Sequence, residues 1–168
     1  MANNQLIKIY IFYFRERKMK KQALRGLICG ILVLLVLAGC APAAAPNISI
    51  EGQWARPSPT YPTSGAFYML IKNSGNAPDK LLSGSSPACG SIEIHEMVKK
   101  SDGTMGMNLV DKPVEIPAGG QVELKVGGLH AMCIMKKDDV FTVGNKVDLT
   151  LVFEKAGEKT ITAEIKGE

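Results

Sequence analysis

Histidine occurs only twice in the 168 residues of this chain, at His95 and His130. Two imidazoles cannot make a His-rich metal buffer, and with no nucleophile motif and no Gly-rich phosphate loop they leave little for catalysis. Aromatic residues are only 6% of the chain and no internal repeat is visible, which argues against repeat architectures and a large enzyme. Helical periodicity sustained over three or more turns appears nowhere after residue 46. The excess of positive charge is also local. The formal net charge is +4, but seven of the 20 Lys/Arg and one of the 16 Asp/Glu lie in residues 1–39, leaving 13 basic and 15 acidic residues for positions 40–168. Bulk charge therefore gives no support for nucleic-acid binding. The 129 residues after position 39 suffice for one domain with its own core and are too few for two ordinary ones.

What the chain does have begins at its front. Residues 27–38 are apolar and uncharged, and they follow the basic stretch Arg15, Arg17, Lys18, Lys20, Lys21 and Arg25. A spanning helix needs about 20 apolar residues. The shorter run here fits the hydrophobic part of an export signal behind a positive front. It ends in Leu37-Ala38-Gly39-Cys40, which resembles the bacterial lipoprotein signal, in which the cysteine is lipidated and becomes the new N-terminus. Residues 1–39 are thus expected to be a lipoprotein signal peptide, with 1–18 an upstream extension of a signal that starts at Met19-Lys20-Lys21. Residues 40–47 are expected to be the lipidated Cys40 and a small, Pro-containing tether, and 48–168 the domain. The protein would be exported and membrane-anchored, facing the periplasm or the extracellular side.

The body reads as strands. Alternating or β-branched runs occur at 66–72, 91–98, 105–110, 121–126, 129–135, 147–153 and 160–165, punctuated by Gly and Pro. With no helices to cross over between parallel neighbours, the expected fold is an all-β, antiparallel Greek-key sandwich. Trp54, the single tryptophan, is expected to be a core or loop-pinning residue.

Sulfur is the soft chemistry on offer, with eight methionines and four cysteines against two histidines. In Leu129-His130-Ala131-Met132 the alternation puts His130 and Met132 on one face of an extended strand, and in Ile94-His95-Glu96-Met97 it does the same for His95 and Met97. Met105 and Met107 follow after a turn at Asp102-Gly103. Thioethers mixed with imidazoles favour Cu(I) over zinc, calcium or magnesium. A single His-x-Met is more often packing, because methionine fills irregular cores. Here two such pairs hold every histidine, and five of the eight methionines lie within residues 95–135.

In these residues the sequence resembles the periplasmic copper-A chaperone family, PCu(A)C-like and cupredoxin-like. The family pattern runs His, an optional Met, ten residues, Met, about 21 residues, then His-x-Met. Here His95 and Glu96 are followed by ten residues and Met107, and after 22 more come His130-Ala131-Met132. The resemblance extends through Trp54-Ala55-Arg56, Gly65-Ala66-Phe67-Tyr68, Asp79-Lys80-Leu81-Leu82, Ile116-Pro117-Ala118-Gly119-Gly120 and Leu151-Val152-Phe153-Glu154. It implies copper ligands at His95, Met107, His130 and Met132, with Met97 and Met105 as auxiliary donors if the loop turns differently. It also implies a carrier that supplies Cu(I) to the copper-A domain of cytochrome c oxidase subunit II, or to thiol proteins that prepare it. The His- and Met-rich C-terminal tail of some relatives has no counterpart before Lys166-Gly167-Glu168.

Cys29 lies in the expected signal and Cys40 carries the expected lipid, which leaves Cys89 and Cys133 as the candidate disulfide in an oxidising compartment. Free thiols that join the copper chemistry are the alternative. A blue-copper electron carrier needs a Cys before its second His. No histidine follows Cys133, so that arrangement cannot be completed around this cysteine. An extracellular binding module without metal is the remaining rival.

Overall fold

The structure, a computed structural model, describes residues 43–167, so the expected signal peptide, Cys29 and the expected lipid site Cys40 lie outside the described residues. Ten strands and no helix occur among the described residues. In chain order they are β1 (Ile48–Pro57), β2 (Ser64–Asn73), β3 (Asp79–Ser85), β4 (Ser91–Lys99), β5 (Met105–Leu109), β6 (Val114–Ile116), β7 (Gln121–Leu124), β8 (Leu129–Ile134), β9 (Lys146–Phe153) and β10 (Gly157–Ile165). All seven expected strands are found; β1, β3 and β6 are additional. The hydrogen-bonded order is β5-β4-β8-β2-β1-β10-β9-β3-β6, with β7 pairing the far half of β2.

One core accounts for this order. In β9, Val147, Leu149, Leu151 and Phe153 are buried and alternate with more exposed residues, the period-two pattern of a strand with one face inward. They share a single apolar cluster with Ala55, Phe67, Ile71, Ile94, Ala131 and Cys133 from the other half of the sheet. The long sheet therefore folds over on itself, and the chain crosses between halves in the β2–β3, β3–β4, β5–β6, β6–β7 and β8–β9 connections. That is the layered, Greek-key character of a sandwich. Every pairing is antiparallel except β1 with β10, which run parallel at Trp54↔Glu164 and Ala55↔Ile165. This pair joins the two ends of the domain and needs no crossover helix, because the whole of the fold lies between the two strands.

Two glycines hold the site half in shape. Gly52, at φ 62°, lies in the irregularity between Glu51 and Trp54, where β1 slips its register against β2. Gly65 has no room for a side chain, because a Cβ there would meet Phe141 at 2.5 Å. Phe141 itself packs edge-on against Phe67 at 5.7 Å between ring centres. At the opposite end, the carboxylate of Asp79 accepts the backbone N–H groups of Lys80, Lys155 and Ala156. Burial opposes ionisation of that carboxyl, yet the three donors and the Lys155 charge hold its pKa below the usual carboxylate value. Ala45 and Asn47, the last part of the expected tether, are hydrogen-bonded to the turn after β2, through Asn76 and Asn73.

Candidate metal centre

The site begins with a turn. Gly127, at φ 76°, lets the chain reverse between β7 and β8, and it presents the carbonyl of Gly128 back toward the strands. That carbonyl accepts the Met97 backbone N–H at 3.2 Å and stands 2.9 Å from His130 Nδ1. A carbonyl can only accept, so Nδ1 of His130 carries the proton and Nε2 keeps its lone pair. His130 is 5% exposed. Burial is the main cause that pushes its pKa below the ordinary imidazole value; the Gly128 bond pulls the other way, and the His95 and Arg56 charges add to the lowering. The ring is therefore held neutral at pH 7, the form a metal binds.

His95 stands directly opposite His130, as a cross-strand pair of β4 and β8. The two ring centres are 6.1 Å apart. With metal–imidazole bonds of about 2 Å, rings at that separation are within reach of one shared ion. Nε2 of His95 lies 2.8 Å from Oε2 of Glu93, while Nδ1 is buried without a hydrogen-bond partner among the described residues.

Strand register then decides which methionines share this face. Met132 is two residues from His130 on β8 and stands opposite Glu93. Met97, two residues from His95, pairs with Met107 across β4 and β5. Residues opposite one another in a ladder project to the same side. One face therefore gathers His95, His130, Met97, Met107 and Met132. Met105 pairs with Lys99 at the far end of the hairpin and is 54% exposed. Met132 is buried, yet neither it nor Met97 nor Met107 belongs to the apolar core, whereas Met69 does. Core filling thus explains Met69 and does not explain the three methionines beside the histidines. Among the described residues no three His, Cys, Asp or Glu side chains gather as a metal-holding group; the soft donors that share the face of the two imidazoles are the thioethers of Met97, Met107 and Met132.

Residues beyond the expected set complete the wall. Tyr68 lies 6.3 Å from His130 between ring centres and 4.6 Å from Trp54. Arg56 donates from Nε to the Tyr68 hydroxyl at 3.3 Å, with its guanidinium 5.8 Å from the ring centre. Trp54 is outside the apolar core and lies on the site side of β1, so of the two expected roles, core or loop-pinning, the core one does not hold. The signal for this was present in the strand period, since Trp54 and Arg56 flank buried Ala55. Glu93 joins this wall, two residues before His95 on the same face of β4.

Behind the site strand, Cys133 is fully buried and bonded to Cys89, with Cα atoms 5.4 Å apart. Its side chain enters the core, on the side of β8 away from His130 and Met132.

Comparison with known proteins finds domains of the same fold. The copper-bound PCuAC domain from PmoF2 is 29% identical, with a TM-score of 0.60, covering 77% of this chain and 100% of that one. The solution structure of CuI-DR1885 from Deinococcus radiodurans is 25% identical, with a TM-score of 0.53, covering 77% of this chain and 82% of that one. A curated protein of Leifsonia xyli subsp. xyli, "Putative lipoprotein Lxx21020", is 28% identical over 144 residues, 80% of this chain and 84% of its own length. The fold and these similar domains place the chain in the PCu(A)C-like, cupredoxin-like copper-chaperone class. Residues 48–165 match the family described as "Putative lipoprotein LpqE-like", and the chain belongs to that family.

Proposed function

We propose that this protein is an extracytoplasmic, lipid-anchored copper chaperone that holds Cu(I) through His95, Met107, His130 and Met132 and delivers it for assembly of the copper-A centre of cytochrome c oxidase. The single observation that carries the reading is the cross-strand pairing of the two histidines on a methionine-bearing face outside the core. Two of the similar structures, the copper-bound PmoF2 domain and CuI-DR1885, support the choice of metal. The softness of the donors supports its oxidation state. Met97 is the auxiliary donor, because it faces Met107; Met105 is left at the hairpin's exposed end.

The donor set suits a carrier. Two neutral imidazoles and two thioethers leave a monovalent ion its full charge, so they hold it less firmly than a thiolate cage would. Met107 lies on β5, a strand at the edge of the sheet with exposed Met105 and Leu109 on either side. An incoming ligand can displace it first, with His130 and Met132 on interior β8 released last. The role is binding and transfer rather than catalysis.

Transfer is the test. Mixed anaerobically, the Cu(I)-loaded protein and the copper-free copper-A domain of oxidase subunit II should exchange metal, read as loss of copper from the donor and gain by the acceptor after separation. If the copper-A domain takes up no metal while a thiol protein that prepares that domain does, the direct target is wrong and the thiol protein takes its place. The anchor has its own check. Cys40→Ser should move the protein out of the membrane fraction or leave it unprocessed, and mature Cys40→Ser protein that still partitions with lipid would refute lipidation at this cysteine.

A further inference from the structure

Resting on the reading of His95 as a copper ligand, we infer that Glu93 is a positioning residue that fixes the tautomer of His95, so that this ring meets copper through Nδ1 while His130 meets it through Nε2. The two rings are oriented by different devices. His130 is set by a backbone carbonyl, that of Gly128, at 2.9 Å from its Nδ1. His95 is set by a carboxylate, that of Glu93, at 2.8 Å from its Nε2. Beside a carboxylate the ring nitrogen is the donor, so Nε2 of His95 carries a proton and the lone pair of the neutral ring falls on Nδ1. That nitrogen is buried and has no hydrogen-bond partner among the described residues. A buried ring nitrogen left unpaired is costly and uncommon in a folded protein. It is the arrangement expected of a ligand atom whose partner is a metal.

Glu93 is suited to this role and poorly suited to ligation. Its side chain is 40% exposed, against 12% for that of His95, so it stands at the solvent edge of the site. The carboxylate is a hard donor, which a soft monovalent ion disfavours. Its bond to the imidazole raises the basicity of the opposite nitrogen, as metal-ligating histidines commonly require. It also lies opposite Met132, so its negative charge stands near an ion whose four proposed donors are all neutral. Sequence spacing alone could not distinguish the two ring nitrogens; the register of β4 against β8 and the Glu93 contact do.

The test reads the imidazole nitrogens by 15N NMR in the purified protein, before and after anaerobic addition of Cu(I), which is diamagnetic. In the copper-free protein His95 should be the Nε2–H tautomer, and on loading the His95 Nδ1 and His130 Nε2 resonances should shift. Glu93→Ala should give a mixture of His95 tautomers in the folded protein and weaken Cu(I) binding by about 10–100-fold. Glu93→Gln, which keeps an acceptor oxygen, should retain the tautomer and recover part of that affinity. Loading through Nε2 of His95, or an unchanged tautomer in Glu93→Ala, would overturn the inference and leave the copper reading standing. If neither His95 nitrogen responds to Cu(I), the copper site itself is misassigned.

Discussion

Replacing Met107 and Met132 together with leucine should weaken Cu(I) binding by more than about 100-fold, since even outer partners of metal ligands are worth 10–100-fold. Leucine nearly conserves methionine volume and usually costs less than about 1.5 kcal/mol per site, so the folded protein should persist. The control lies in the same molecule. Met69 is buried in the apolar core away from the site, and Met69→Leu should leave copper affinity unchanged. Anaerobic competition with a chromogenic Cu(I) chelator measures all three proteins. Equal affinities would reduce Met107 and Met132 to packing residues.

Breaking the Cys89–Cys133 bond has its large effect on stability instead. The bond closes a sequence separation of 44 residues, and a loop of that size restricts the unfolded chain enough to be worth about 4 kcal/mol in the simple entropic model. The paired change Cys89→Ala with Cys133→Ala should therefore lower unfolding stability by roughly that amount or somewhat less. Reduction of the native protein should do the same. Because Cys133 enters the core while Met132 leaves it, the folded double variant should still bind Cu(I). Denaturant unfolding and copper titration of the same preparation separate the two effects. Lost copper binding in a variant that remains folded would make the cysteines participants in the site.

The strands with clean alternation were legible from sequence, and β9 is the plainest, with Val147, Leu149, Leu151 and Phe153 in period two. The three strands that were not expected each break that period for a physical reason. In β1 the register slips between Glu51 and Trp54 around Gly52, which takes the left-handed conformation. In β3 the register against β9 slips between Leu81 and Ser83, and the strand ends in Ser-Gly-Ser, where Gly84 is too close to Ile92 and Leu151 to carry a side chain freely. The three residues of β6 are too few to show any period. The parallel pairing of β1 with β10 joins segments about 110 residues apart, and no local pattern encodes it.

The site was legible to the level of residue type and face. Alternation placed His130 with Met132 and His95 with Met97, because each pair lies on one strand. What joins the two pairs is the register of β4 against β8, a tertiary property that spacing does not carry. The same holds for the wall of Tyr68, Trp54 and Arg56, which arrives from β2 and β1. The orphaned Nδ1 of His95 is a fact about packing and had no sequence signature at all.

X-ray absorption at the copper edge, on protein loaded anaerobically with Cu(I), counts the donors themselves. Two imidazole nitrogens and two thioether sulfurs are expected around the ion, with one nitrogen lost in His130→Ala and one sulfur lost in Met132→Leu. A shell without sulfur, or one with sulfur at thiolate distance that survives both methionine substitutions, would contradict this donor set.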